Sequence, residues 1–281
     1  MEFCDLHTHS VYSDGTCTPA QIVDAAVSLG LKAVALTDHD SVDGLPDFLA
    51  AARGKPIEAI PGAEFAVVYG QTELHLLGLY IPQTAFSQIG ALTKQVHQRR
   101  EQCVHDLVDS LNRAGFSLNF EAMKAAAQGQ VTRAHVALEI ENQGLMDSQT
   151  AFRTLLKPGA GHYTSPQRLP FAEVLDLLLQ VGAVPVLAHP FLNMSVAQLE
   201  DFLPKAKRQG LVGMECLYSG YDEKTTEAAF AMAKQFDLLP SGGSDFHGHI
   251  RQDAPLGNAD HPIPYAFAQA LHNQKTLSQV P

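Results

Sequence analysis

Two histidines one residue apart stand near the start of the chain, in Asp5-Leu6-His7-Thr8-His9. Along an extended strand alternate side chains share a face, so both rings can reach one divalent ion, and Asp5 projects from the same face. The same ligand chemistry keeps returning: Asp14 in Ser13-Asp14-Gly15, His39 in Leu36-Thr37-Asp38-His39-Asp40, Glu64 in Ile60-Pro61-Gly62-Ala63-Glu64 and His75 in Glu73-Leu74-His75-Leu76-Leu77-Gly78. Later, His189 closes Val184-Pro185-Val186-Leu187-Ala188-His189-Pro190, and Asp245 and His247 end Ser241-Gly242-Gly243-Ser244-Asp245-Phe246-His247. Imidazole and carboxylate without thiolate suit Zn, Fe and Mn. A single histidine on an apolar stretch is most often a satisfied core residue, but nine such side chains in or just after predicted strands are a different matter. Their recurrence along an alternating strand and helix chain matches a barrel whose site lies at the carboxyl-terminal rim.

The elements that must deliver these residues can be read from patterning. Strands are expected over residues 3–9, 32–37, 57–60, 63–69 and 73–81, the second carrying the apolar run Ala33-Val34-Ala35-Leu36 of a buried parallel strand. Thr18-Pro19 opens a helix to Gly30, and a second amphipathic helix runs from Asp43 to Arg53. Tyr69-Gly70-Gln71-Thr72 reads as a hairpin turn, which sets the strands of Glu64 and His75 side by side. Residues 85–170 turn helical, polar and richer in Arg and Gln, and are read as an inserted helical cap subdomain with helices near 86–114, 120–128 and 133–142. The barrel resumes with helix 171–182, strand 183–188, helix 196–209, strand 211–216, helix 222–236 and strand 238–242. The expected division is thus a catalytic barrel of residues 1–84 and 171–281 with the insertion between. Gly242 and Gly243 are expected to allow the tight strand exit that aims Asp245 and His247. Asp5, Asp38 and Asp40 are candidates to orient ligating rings, since such imidazoles donate their other N–H to an acceptor. Glu215, in Val212-Gly213-Met214-Glu215-Cys216, either points into the barrel mouth or is an ordinary polar residue near a strand end.

Taken in order, His-x-His, Ser-Asp-Gly, Thr-Asp-His-Asp, Pro-Gly-x-Glu, His-Leu-Leu-Gly, Ala-His-Pro and Ser-Asp-Phe-His resemble the PHP (polymerase and histidinol phosphatase) superfamily over nearly the whole chain. That resemblance implies a distorted seven-stranded α/β barrel and a centre of three divalent ions, Mn, Fe or Zn. It places His7, His9, Glu64 and Asp245 on one ion, Glu64, His75 and His189 on a second, and Asp14, His39 and His247 on a third, with Glu64 bridging. The segment Val131-Thr132-Arg133-Ala134-His135-Val136-Ala137 is similar to the branch of 3',5'-nucleotide bisphosphate phosphatases and 5' to 3' exoribonucleases, with Val136 where that branch carries phenylalanine. The activity implied is phosphoester hydrolysis by a metal-bound hydroxide, with Asp245 ligating and orienting it. Arg133 would fork onto the phosphate and His135 would bind phosphate or protonate the leaving oxygen. A histidinol phosphatase or other small-metabolite phosphatase and a non-catalytic PHP module are the competing readings. An amide-hydrolysing barrel would also use His-x-His, but its carboxylated lysine is not evident.

Composition narrows the partners. A net charge of −11 argues against a broad basic grip on long nucleic acid, because such binding draws its strength from neutralising phosphates. Three divalent ions would make one strongly positive spot regardless, so a small phosphorylated substrate, a nucleotide or short oligonucleotide, remains compatible. Four cysteines without paired spacing indicate neither a disulfide framework nor a thiolate site. No basic apolar leader and no run of about 18 apolar residues is present, so a cytoplasmic protein without membrane contact or an obligate protein partner is expected.

Overall fold

A computed structural model describes residues 2–127, 131–258 and 261–277. In chain order the elements are β1 Phe3–Asp5, α1 Pro19–Ser28, β2 Ala33–Leu36, α2 Leu45–Ala52, β3 Glu58–Pro61, β4 Ala63–Tyr69 and β5 Thr72–Leu79. Four helices follow: α3 Phe86–Arg113, α4 Phe120–Ala126, α5 Arg133–Asn142 and α6 Ser148–Thr154. Then come β6 Leu169–Pro170, α7 Phe171–Gln180, β7 Val184–Ala188, α8 Val196–Gln209, β8 Gly213–Tyr218, α9 Glu223–Gln235, β9 Leu239–Gly243, β10 Ile263–Pro264 and α10 Tyr265–Leu277. The chain forms two compact units, residues 1–90 with 168–281, and residues 91–167.

The first unit is mixed α/β. One sheet has the order β10, β1, β2, β3, and the other β6, β4, β5, β7, β8, β9. Most neighbours run parallel, as connections through helices require, but β5 is antiparallel to both β4 and β7 because a hairpin leads into it. That hairpin pairs Tyr69 with Thr72, and Gly70 between them takes a φ of 62°, open to glycine at little cost. The expected ring of seven strands is not one continuous ladder here. Instead the two sheets meet through backbone bonds at their ends: Leu6 N donates to Gly242 O, and Asp40 N to Glu64 O at 2.7 Å.

Local chemistry explains the helices that cover these sheets. Thr18 accepts from Gln21 N at 3.2 Å while Gln21 Oε1 accepts from Thr18 N at 2.8 Å, a reciprocal cap that starts α1 at Pro19. Ser195 and Gln198 do the same for α8, which stops at Gly210 with a φ of 110°. The core between sheets and helices includes Leu6, Ala35, Ile60, Leu77, Val186 and Leu271, all fully buried. The strand expected over 3–9 leaves its ladder at Asp5, because after Leu6 the backbone bonds include loop residues, His9 N to Phe246 O at 2.8 Å and Asp245 N to His7 O at 2.9 Å.

The second unit is helical. Leu107, Leu111, Val136, Ile140 and Leu156 form its own apolar core, and Asn119 and Asp147 accept from Ala122 N and Thr150 N to start α4 and α6.

Candidate metal centre

Glu64 is the hub on which the strand ends converge. Its Oε2 lies 3.2 Å from His7 Nε2, 3.3 Å from His9 Nε2 and 2.9 Å from His39 Nδ1. Its Oε1 lies 2.7 Å from His75 Nδ1 and 3.0 Å from His189 Nε2. Asp245 Oδ1 stands 3.1 Å from His9 Nε2 and 3.5 Å from His7 Nε2. On the outer side Asp14 lies 3.2 Å from His247 Nε2 and 3.7 Å from His39 Nε2. All nine residues picked for their type and spacing are therefore brought together. Two groupings, His7, His9, Glu64 and Asp245, and His9, Asp14, His39 and His247, each bring one donor atom per residue within 4.8 Å of one another.

Strand pairing makes this convergence possible. Ala66 faces His75 across the β4 and β5 pair, and His75 faces Ala188 across β5 and β7, so Glu64, His75 and His189 reach one end of one sheet. Two threonines join the end of β1 to that of β2: Thr8 Oγ1 donates to Ala35 O at 2.6 Å, and Thr37 N to Thr8 O at 2.9 Å. They fix His7 and His9 against His39. Gly243 matters through contact rather than through a turn, since its φ is not in the left-handed region and a Cβ there would stand 2.1 Å from His7 Cβ. Gly242 is pressed the same way against Leu217 O.

The electrostatics are those of a set of ligands crowded against its own charge. Burial opposes ionisation of Glu64, yet His75, His7 and His39 outweigh it and hold the carboxyl well below the usual carboxylate range. Burial is likewise overcome at Asp245 by His7 and His9 and at Asp14 by His39 and His247, so both carboxyls are drawn down. Burial would lower His9, but Asp245 and Glu64 push it up to about 10. His75 differs: burial draws it down despite Glu64.

These groups fit divalent cations for a further reason. His7 Nε2, both ring nitrogens of His9, Glu64 Oε2 and His189 Nδ1 are buried without a hydrogen bond. His7 Nε2, His9 Nε2 and Glu64 Oε2 sit in ion-pair range of one another or of Asp245 without a hydrogen bond between them, as donor atoms around a shared cation would. Nitrogen and oxygen donors in that arrangement suit Zn, Mn or Fe.

Comparison with known proteins agrees with this chemistry. The PHP domain profile matches residues 5–158. The chain belongs to the PHP family. It is 31% identical to a 5'-3' exoribonuclease from Haemophilus influenzae, over 92% of this chain and 96% of the relative. It is 32% identical to a 3',5'-nucleoside bisphosphate phosphatase from Chromobacterium violaceum, over 92% of each. A solved structure from Bifidobacterium adolescentis, assigned as a metal-dependent phosphoesterase, superposes with a TM-score of 0.82 over 100% of this chain and 97% of its own, at 24% identity, which speaks to the fold. The PHP chain is accordingly a hydrolase, a metal-dependent phosphoesterase.

Around the PHP centre lie residues that sequence reasoning placed differently. Glu215 is fully buried, its Oε1 2.9 Å from His7 Nδ1 while its Oε2 accepts from His189 N at 2.7 Å. It is the acceptor that orients His7. The signal was a glutamate within a fully apolar strand. Asp5 instead serves the backbone, accepting from His7 N at 3.2 Å, Ser244 N at 3.0 Å and Gly257 N at 2.8 Å. Asp38 accepts from Ser10 N, Ser10 Oγ and Ser13 Oγ, each at 2.7 Å, and so fixes the turn that carries Asp14. Asp40 Oδ1 accepts from Ala66 N.

Arg133 and His135 belong to the second unit. Arg133 stacks between Phe152 and Tyr163, 4.9 and 4.5 Å from the ring centroids, and its Nη1 donates to Leu156 O at 3.0 Å. His135 Nδ1 accepts from Thr132 N at 3.1 Å, the reach back that closes the start of α5.

Proposed function

We propose that this PHP chain removes phosphate from a nucleotide, a nucleoside 3',5'-bisphosphate or a short 5'-phosphorylated oligonucleotide. The observation that carries the chemistry is the convergence of six imidazoles on three ionised carboxylates around Glu64. The named activities of the relatives, on bisphosphate and on RNA, support the nucleotide class.

His7, His9, Glu64 and Asp245 would hold one divalent ion, Glu64, His75 and His189 a second, and Asp14, His39 and His247 a third, at the carboxyl rim of the distorted barrel that the two sheets are read to form. When bound, such ions withdraw charge from phosphoryl oxygens and lower the pKa of water to near neutrality. The protein's own part is positioning. The side chains of His7, His9 and Glu64 are fully buried, whereas those of Asp14, His39 and His75 are 42%, 21% and 21% exposed, so the ester is read to approach from the side of these three. Asp245 would both ligate and orient the attacking oxygen, holding it in line with phosphorus. The oxygen of water bonds to phosphorus as the bond to the ester oxygen breaks, and the proton that the water gives up balances the one that the ester oxygen takes, giving inorganic phosphate and an alcohol. Arg133 would fork onto the phosphate and His135 would bind phosphate or protonate the leaving oxygen, and Arg133→Ala with turnover and KM both unchanged would overturn the clamp.

The test is phosphate release by the Mn-reconstituted protein from adenosine 3',5'-bisphosphate, AMP, histidinol phosphate and a short 5'-phosphorylated RNA, with His9→Ala as control. Preference for the bisphosphate or RNA is expected. Preference for histidinol phosphate would move the substrate to small metabolites, and inactivity on all four would overturn the nucleotide reading.

A further inference from the structure

Asp245 divides its two oxygens between two kinds of neighbour. Oδ1 faces His7 and His9, as above, while Oδ2 accepts from Tyr218 Oη at 3.0 Å and from Arg251 Nη1. Arg251 thus stands directly behind the carboxylate on which the hydrolysis turns. Its side chain is 29% exposed against 9% for Asp245, so the guanidinium that meets the carboxylate and Tyr218 is still partly open to solvent.

The segment that carries Arg251 is held firmly. Gly248 takes a φ of 76° and packs so tightly that a Cβ there would stand 2.0 Å from Thr16 Oγ1. Thr16 N donates to His247 O at 3.1 Å, and His249 N to Thr16 Oγ1 at 3.1 Å. The turn after His247 is therefore fastened to the loop that also carries Asp14, and Arg251 is fixed relative to both.

A guanidinium carries five N–H donors in a planar fork that matches phosphate oxygens, and Asp245 engages Nη1 alone. Other arginines are differently occupied. Arg168 Nη2 donates to Glu73 Oε1 at 2.6 Å, and Arg133 is stacked between two aromatic rings. When Asp245 Oδ1 shares its charge with a cation, the pull of Oδ2 on Arg251 weakens, and the guanidinium is freed to serve a second anion beside it.

We infer that Arg251 is the anchor for a substrate phosphate at this centre, donating from guanidinium nitrogens other than Nη1 to a non-bridging phosphate oxygen while Nη1 stays on Asp245. The inference rests on the phosphoesterase reading for its ligand, but its test needs no turnover. Inorganic phosphate is titrated calorimetrically into wild type, Arg251→Met and Arg251→Lys, each at saturating Mn, with bound Mn counted by elemental analysis. Arg251→Met should keep the wild-type Mn content and bind phosphate roughly 10- to 100-fold more weakly. Arg251→Lys, a point charge without the fork, should fall between, and KM for an accepted ester should rise in the same order.

Unchanged phosphate affinity in Arg251→Met would overturn the anchor. So would a variant that cannot be loaded with Mn, which would make Arg251 a positioning residue for Asp245. Wild-type protein that binds phosphate in an Arg251-dependent way yet hydrolyses no ester would sink the proposed function and leave the anchor standing. Wild-type protein that binds no phosphate would sink both.

Discussion

Glu215→Gln is the sharpest probe of how the centre is organised. Both donors that Glu215 serves, His7 Nδ1 and His189 N, are buried with it, so water cannot replace a lost acceptor. Glutamine keeps the volume but offers one carbonyl oxygen. If that oxygen stays on His7, the amide N–H₂ confronts His189 N–H; if it turns to His189, His7 is left facing a donor. Either way one charge-assisted hydrogen bond is lost, at about 1.5–3 kcal/mol. For a chain of this size that is a fall in melting temperature of roughly 3–12 °C. The metal consequence is separate. A ligating ring whose other nitrogen loses its carboxylate acceptor turns more freely and becomes less basic, and such changes weaken metal binding by about 10- to 100-fold. Chelator competition with Mn reads the second quantity and thermal unfolding of the chelator-treated protein reads the first. A variant that matched wild type in both assays would refute the reasoning, since Glu215 would then neither satisfy the two donors nor orient His7.

Other perturbations test other levels. Gly243→Ala would push a methyl group into His7 Cβ and N, and it should cost about 3 kcal/mol or more and strip bound metal, measured by denaturant melts and elemental analysis. Gly90→Ala, inside α3 with only Val42 at 3.8 Å from the new methyl, should instead stabilise by about 0.5–1 kcal/mol in the same melts. Removing divalent ions with a chelator should lower the melting temperature, and Mn at about 100 times its dissociation constant should restore about 2.7 kcal/mol, seen as a concentration-dependent recovery. Arg133→Met should cost about 1–2 kcal/mol through the lost stacking on Phe152 and Tyr163 and the bond to Leu156 O, read by melting. An unchanged KM in that variant would confine Arg133 to structure.

Several ligands were legible because they follow an apolar run that must be a buried strand, as His39 follows Ala33-Val34-Ala35-Leu36 and His189 follows Val184 to Ala188, so the place at a strand end comes with the residue type. Glu64 and His75 were even legible as neighbours, from the Tyr69 to Thr72 turn, and the ladder pairs these strands as that turn demands. Other features carry no local signature. The pairing of β1 with β10 uses two residues, one of them Pro264, too few for any period to show. The end of β1 at Asp5 depends on whether its partner is a strand or the loop after β9, which is decided 240 residues away. The roles of Asp5 and Glu215 could not be separated for the same reason. Both are acidic residues near strand ends, and what distinguishes them is the ring nitrogen of His7, which meets Glu215 and not Asp5. Asp38 was legible as important but not as the anchor of the Ser10 to Ser13 turn, because its partners lie one strand over.

The backbone at these strand ends shows why the centre needs so dense a surround. Asp40, His189 and Asp245 all have positive φ, at 44°, 26° and 57°, although none is glycine. His189 is the most unusual, since the residue before a proline disfavours helical conformations on either side of φ and it stands immediately before Pro190. Conformations of this kind cost on the order of 1–3 kcal/mol each and persist only where neighbours over-determine them. Each has such a neighbour: Asp40 N donates to Glu64 O and its carboxylate accepts from Ala66 N, His189 N donates to Glu215 Oε2, and Asp245 N donates to His7 O. The hydrogen bonds that hold the bends therefore run to ligands or to the groups that orient ligands. Folding and site assembly are then one event. The strand ends can take their bent conformations only when Glu64, His7 and Glu215 are already in place to accept, and those three are in place only when the bends have brought the rings to them. The ligand geometry is in this way set by the buried backbone of the first unit and is fixed before any substrate arrives, so a phosphate ester meets donors that have little reorganisation left to make.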